Sequence, residues 1–129
     1  MAIRVVRLGS ARAPQEGLRV GTVRRPPRGV PKKDYARLDY FDSWLPELAP
    51  SAGLVSYALS EPFTQRRWTS YARRYRREMG SSASRRLIDL LAALSPQADF
   101  SIGCYCADES RCHRSLLREL LLERGAIVA

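Results

Sequence analysis

The stretch Phe100-Ser101-Ile102-Gly103-Cys104-Tyr105-Cys106-Ala107-Asp108-Glu109-Ser110-Arg111-Cys112-His113-Arg114 decides the fold class. Residues 100–105 form a short apolar run of strand length. Beyond Arg114, the leucines Leu116, Leu117, Leu120 and Leu121 recur at helical spacing until Gly125 supplies a stop. The order is strand, loop, helix, which places Cys112, His113 and Arg114 in the first helical turn. All three cysteines and the only histidine lie in this segment. A helix N-terminus carries unpaired N–H groups and a partial positive charge, so it favours an anion or a thiolate. The spacing does not choose between them.

Working outward, Ser84 to Leu94 reads as a helix whose apolar face is Leu87, Leu90, Leu91 and Leu94. Pro62 to Met79 reads as another, with Trp68, Tyr71, Ala72, Tyr75 and Met79 on its buried face and six arginines on the rest. Basic and aromatic interleaving is also what a single-stranded nucleic-acid platform uses, but aromatics three and four apart are more simply a core face. Ser51 is a natural N-cap for a short helix holding Leu54, Val55 and Ala58. The stripe Leu38, Phe41, Trp44, Leu45 and Leu48 predicts a helix over 35–48, interrupted by Pro46.

Nearer the start, residues 3–8 and 18–23 read as strands, and 126–129 as a terminal one. Between Arg24 and Lys33, three prolines and Gly29 exclude regular structure, and Arg24, Arg25, Arg28, Lys32 and Lys33 crowd together in a basic loop. Strands separated by helices indicate an α/β fold: one three-layer domain over residues 1–129, with a small, mainly parallel sheet flanked by helices. Residues 1–17 contribute an N-terminal strand and a flexible segment. In such a sheet ligands sit beyond the carboxyl ends of the strands, where the cysteine loop lies.

The chain has 129 residues and a formal net charge of +9. Residues 1–50 carry ten basic and five acidic groups, 51–80 six and two, and 81–129 six and six, so the excess lies upstream and the cysteine segment is locally neutral. A basic surface makes nucleic acid a candidate partner. No apolar run of leader or transmembrane type occurs, so a soluble cytoplasmic protein without a membrane partner is expected. Three clustered cysteines do not fit a secreted disulfide framework; reduced thiols or a metal site are expected instead.

Several segments resemble the domain-of-unknown-function 488 (DUF488) family, and in particular its YeaO-like branch. Arg24, Pro27, Arg28, Gly29 and Lys32 match an arginine followed by Pro-Arg-Gly and a lysine. Trp44, Leu48, Ala49, Pro50 and Ser51 match a tryptophan and a Leu-Ala-Pro-Ser stretch, and Tyr71, Tyr75 and Glu78 echo a helical aromatic pattern. Cys104, Cys112, His113 and Arg114 match a strand-ending cysteine and a Cys-His-Arg helix start. Pro26 stands where a tryptophan is expected, and Cys106 where a glutamate is expected. The resemblance implies an intracellular α/β fold and a site, but no reaction.

Three chemistries suit the cysteine loop. The first, and the one favoured here, is an anion site for a nucleotide, phosphate or nucleic acid, formed by Arg24, Arg28, Cys112, His113 and Arg114 and needing no cofactor. The second is a cysteine-dependent enzyme with Cys112 and His113 as its catalytic pair. The third is a zinc centre on Cys104, Cys106, Cys112 and His113, although adjacent helical residues point about 100° apart and converge poorly on one ion. The spacing of Cys112 and Arg118 formally matches a protein-phosphatase loop. The intervening residues lack the glycine-rich turn that aims amides at phosphate, which excludes that match. Cys104 is expected to pack strand against helix.

Overall fold

The computed structural model describes all residues 1–129. Four parallel strands, β1 (Ile3–Arg7), β2 (Leu18–Gly21), β3 (Ser43–Trp44) and β4 (Phe100–Cys104), are ordered β1-β4-β2-β3. The helices are α1 (Ala52–Leu59), α2 (Gln65–Glu78), α3 (Ser82–Leu94) and α4 (His113–Glu123). The expected α/β architecture holds. β4 lies between β1 and β2 and is buried along its whole length, which explains its unbroken apolar and small-residue composition. No helix is long and apolar enough to cross a membrane.

Alternation along the strands divides the molecule. Ile3, Val20, Phe100 and Ile102 join one core with Leu54 of α1, Tyr75 of α2, Ile88 of α3 and Leu117 of α4. All four helices therefore share this core, and irregular chain packs the other face. There Gly21 leaves room for the Phe41 ring, which a Cβ would strike, and a Cβ on Gly103 would lie 2.8 Å from a Leu8 methyl.

The same face buries an ion pair that alternation alone does not foretell. Arg19 is fully buried and grips Glu16 through Nε and Nη2, at 2.7 and 3.0 Å. Its Nη1 donates to the carbonyls of Ser10 and Asp39. Glu16 also accepts from Ser101 Oγ and the Ala13 N–H. Burial alone would raise the Glu16 carboxyl, but Arg19 and these donors hold it below its ordinary value. The network fastens the segments around residues 10–16 and 39 to the sheet.

Two expectations are corrected. No helix spans 35–48: the segment makes turns, the two-residue β3 and a 3-10 turn at Pro46–Leu48. Asp39 adopts φ +63°, which ends any helical path, and the apolar stripe is dealt to different places. Phe41 packs on Gly21, the Trp44 indole donates to the Val23 carbonyl at 2.7 Å, and Leu48 enters the main core. At the other end, residues 126–129 do not form a strand. A single parallel bridge links Val128 to Ile3, held by Ile3 N–H to Ile127 O and Ala129 N–H to Ile3 O.

The caps explain the helix starts. Ser51 accepts from the Leu54 N–H, Thr64 from Arg67 and Ser81 from Ser84. Glu78, at the end of α2, accepts from both the N–H and the hydroxyl of Ser51, at 2.8 and 2.5 Å, joining α2 to the start of α1. The Tyr75 hydroxyl donates to the Leu48 carbonyl at 2.7 Å. The motif residues Ser51, Tyr75 and Glu78 thus hold the helical layer together.

Candidate functional site

Because β2 and β4 are parallel neighbours, the chain leaves both at the same edge of the sheet. The basic proline loop follows β2 and the cysteine loop follows β4, so topology brings the two together. The Tyr105 hydroxyl donates to the Arg25 carbonyl at 2.9 Å and ties one loop to the other. Between them and the helices α1 and α2 lies an open cleft of about 750 Å³, within the range that holds a small molecule or cofactor.

The floor of the cleft is sulfur. The Sγ atoms of Cys104, Cys106 and Cys112 all lie within 4.8 Å of one another, and all three cysteines are free thiols. Cys104 ends β4 and packs with Leu8, Val23, Phe41 and Cys112. Cys112 is the N-cap of α4, while Cys106 is the exposed member.

Three neighbours set the chemistry of these thiols. The Thr22 carbonyl accepts from His113 Nε2–H at 2.7 Å, which leaves Nδ1 bare, 3.6 Å from the Cys112 sulfur. His113 is buried, and burial pulls its pKa down to about 4, so the ring is neutral at physiological pH. Arg114 is 4% exposed; its Nη2 donates to the Cys106 carbonyl at 2.7 Å, its Nε–H has no partner, and no carboxylate forms an ion pair with it.

A buried guanidinium without a carboxylate favours an anion nearby. The Cys106 thiol is held well below the ordinary thiol range, first by the adjoining Cys104 and Cys112 thiols and then by positive charge at His113 and Arg114. With His113 neutral, Arg114 is the lasting charge. The adjoining thiols and burial raise Cys112, and the Cys106 side chain raises Cys104 to about 11. Of the three thiols, the exposed Cys106 is the one these interactions favour as thiolate.

The walls are aromatic and their rim is arginine. Tyr57, Phe63, Trp68 and Tyr71 line the helical side, and Tyr40 and Tyr105 the side of the loops. Arg111 lies over the Phe63 ring at 4.2 Å, and Arg67 over Tyr57 at 4.3 Å. Arg25 and Arg28 are exposed at the mouth.

Residues 3–125 match the family DUF488-N3a, described as the active DUF488-N3 subclade. The chain belongs to the DUF488 family. The resemblance of this DUF488 protein to the YeaO-like branch rests on its motifs alone. No curated protein and no solved structure matches it.

The DUF488 chain brings Arg24, Arg28, Cys112 and His113 to one cleft, but not as a ring of free charges. Arg24 donates to the carbonyls of Pro50 and Ala49, at 3.0 and 3.3 Å. His113 is neutral, and Arg114 lies outside the lining, behind the cysteine loop. Only Arg28 of the five projects freely. His113 also stands outside the sulfur trio, because one ring nitrogen is held by Thr22 and the other faces Cys112. Arg118 turns to Glu109 at 2.9 Å, which agrees with rejecting the phosphatase pattern. Tyr57 and Phe63 carry no mark in the sequence, whereas Arg67 lies on the basic face of α2 and Arg111 stands beside the Cys-His-Arg helix start. The basic and aromatic alternation of α2, read as core and solvent faces in preference to a nucleic-acid platform, bears on Arg67, while Tyr57, Phe63 and Arg111 lie outside that helix.

Proposed function

We propose that this protein is a cysteine-dependent enzyme that takes an anionic, ring-bearing ligand of the nucleotide class into the cleft and uses Cys106 as its nucleophile. The observation that carries this reading is the position of Cys106: beside a buried arginine that lacks a carboxylate, on the floor of an aromatic cleft. The ligand's ring stacks among Tyr57, Phe63 and Trp68, and its anionic group meets Arg25, Arg28 and Arg111 at the rim. Cys104 and Cys112 keep their protons and stabilise the thiolate. His113 orients Cys112 through its bare Nδ1. The description of the subclade as active supports a catalytic role.

Alkylation by iodoacetamide near pH 6.5, mapped by peptide mass spectrometry, tests this reading. Cys106 is expected to react far faster than an ordinary thiol, and a nucleoside monophosphate is expected to protect it. An ordinary rate at Cys106 overturns the nucleophile, and absence of protection overturns the ligand class.

The sulfur spacing supports a second reading, in which Cys104, Cys106 and Cys112 hold zinc with a fourth position open to the cleft. Elemental analysis of protein purified without chelator separates the two. One equivalent of zinc establishes the metal centre, and zinc-free protein with a fast Cys106 establishes the free thiolate.

A further inference from the structure

A second concavity adjoins the cleft. It is lined by Tyr57, Arg66, Arg67, Thr69, Ser70 and Arg73, and it shares Tyr57 and Arg67 with the cleft, so the two meet across that pair. Their characters are opposite. The cleft is aromatic and sulfur-floored, while the second hollow offers three arginines, three hydroxyl-bearing side chains and no carboxylate.

Arg67 is committed to Glu61 and the Tyr57 carbonyl, but the other two arginines of this hollow are not consumed elsewhere. Neither Arg66 nor Arg73 forms an ion pair or a side-chain hydrogen bond, and both are exposed. They lie seven residues apart on α2, with Thr69 and Ser70 between them on the same face, and span about 10 Å along the helix. At the junction the Tyr57 ring meets the guanidinium groups of Arg67 and Arg74, at 4.3 and 4.7 Å. The acidic groups nearby are committed. Glu61 pairs with Arg67 at 3.2 Å, and Glu78 at the far end of α2 is held by Ser51. On its other side α2 sends Arg76 to Glu119 and Glu123, so the unpaired charge is confined to the face beside the cleft.

A stripe of unpaired arginines that ends in an aromatic cleft matches the two parts of a nucleic-acid strand. Phosphates follow the arginines, and a base stacks on the rings. We infer that the substrate is a nucleotide within a single strand, its backbone tracked by Arg66 and Arg73 and its base turned past Tyr57 into the cleft. This inference rests on the proposed nucleotide-class reading and extends it from a free nucleotide to a strand. A duplex is the poorer substrate, because a base must leave its stack before it can reach the sulfur floor.

Fluorescence anisotropy with short labelled thymidine oligomers, in DNA and RNA form, tests the inference against thymidine monophosphate as competitor. The oligomers are expected to bind at least tenfold more tightly than the monophosphate, and the comparison of DNA with RNA identifies the strand used. The R66E/R73E variant is expected to remove that advantage, while monophosphate binding and Cys106 alkylation stay unchanged. The milder R66Q/R73Q variant is expected to lower the slope of log affinity against log salt by about 1.4, the value for two lost phosphate contacts on a single strand. Oligomer binding no tighter than the monophosphate, equal binding of a duplex, or unchanged affinity in both variants overturns the strand inference and leaves the nucleotide reading standing. Failure of the monophosphate to bind at all overturns both.

Discussion

The Nε2–H of His113 donates to the Thr22 carbonyl at 2.7 Å, and through this contact the end of β2 determines which nitrogen Cys112 meets. A carbonyl can only accept, so the proton is fixed on Nε2 and the bare Nδ1 faces the sulfur. Burial, which opposes protonation, keeps the ring that opens α4 from bringing a charge to the cleft at physiological pH.

That burial has a pH signature. The folded pKa of His113 is pulled from 6.5 to about 4, so between these values the unfolded chain takes up a proton that the folded chain refuses. The stabilisation is complete above pH 6.5 and is lost as pH falls toward 4, a change of about 3 kcal/mol for this group. Urea unfolding at pH 7 and pH 4.5 is expected to show a smaller acid loss in His113→Gln than in the parent. Equal losses would contradict a buried neutral histidine.

Arg114 supplies the permanent positive charge beside Cys106. Arg114→Met is expected to move the pH profile of Cys106 alkylation upward, toward an ordinary thiol, while Arg114→Lys moves it less. Iodoacetamide kinetics with peptide mapping reads this directly. A profile unchanged in Arg114→Met would remove Arg114 from the account of the thiolate.

The Arg19–Glu16 pair is fully enclosed, so breaking it strands a charge. Arg19→Met is expected to cost about 3–5 kcal/mol in chemical denaturation, and the double variant R19M/E16L to recover much of that loss. A single variant within 1 kcal/mol of the parent would show that water reaches Glu16.

Glu78 caps α1 from α2. Glu78→Ala leaves the Ser51 N–H and hydroxyl without their acceptor and is expected to cost about 1–2 kcal/mol. The cost should appear as a shift of the urea midpoint with an unchanged slope. No shift would mean that water replaces the carboxylate without loss.

The strand, loop and helix around the cysteines were legible in the sequence because each carries its own periodicity and Gly125 marks the end. The same local rule misread 35–48. Apolar residues at helical intervals also arise when a loop feeds two faces of a sheet, and the left-handed turn at Asp39 leaves no periodic trace. The burial of Arg19 has no local sign, because its partner Glu16 lies in an irregular segment and pairing across such a segment is a tertiary fact. Cys104 is buried in the small cluster with Leu8 and Phe41, as its type suggests, yet its sulfur also joins the trio. The meeting of the proline and cysteine loops follows from the adjacency of β2 and β4. The neutrality of His113 follows from its burial, and the hydrogen bond to Thr22, far away in sequence, places its proton; no local pattern reports either.

The strand order also shapes how the molecule is made. β1 and β2 do not pair with each other; each pairs with β4, which is drawn from the last third of the chain. During synthesis the early strands wait unpaired, apart from the short β2–β3 contact, until Phe100–Cys104 slides between them. Such long-range parallel pairing is slow and leaves edges exposed in the interval. Cys104 ends the strand that closes the sheet, so the thiols come together only once that closing step is complete. A nascent or misfolded chain therefore does not bring the three sulfurs together.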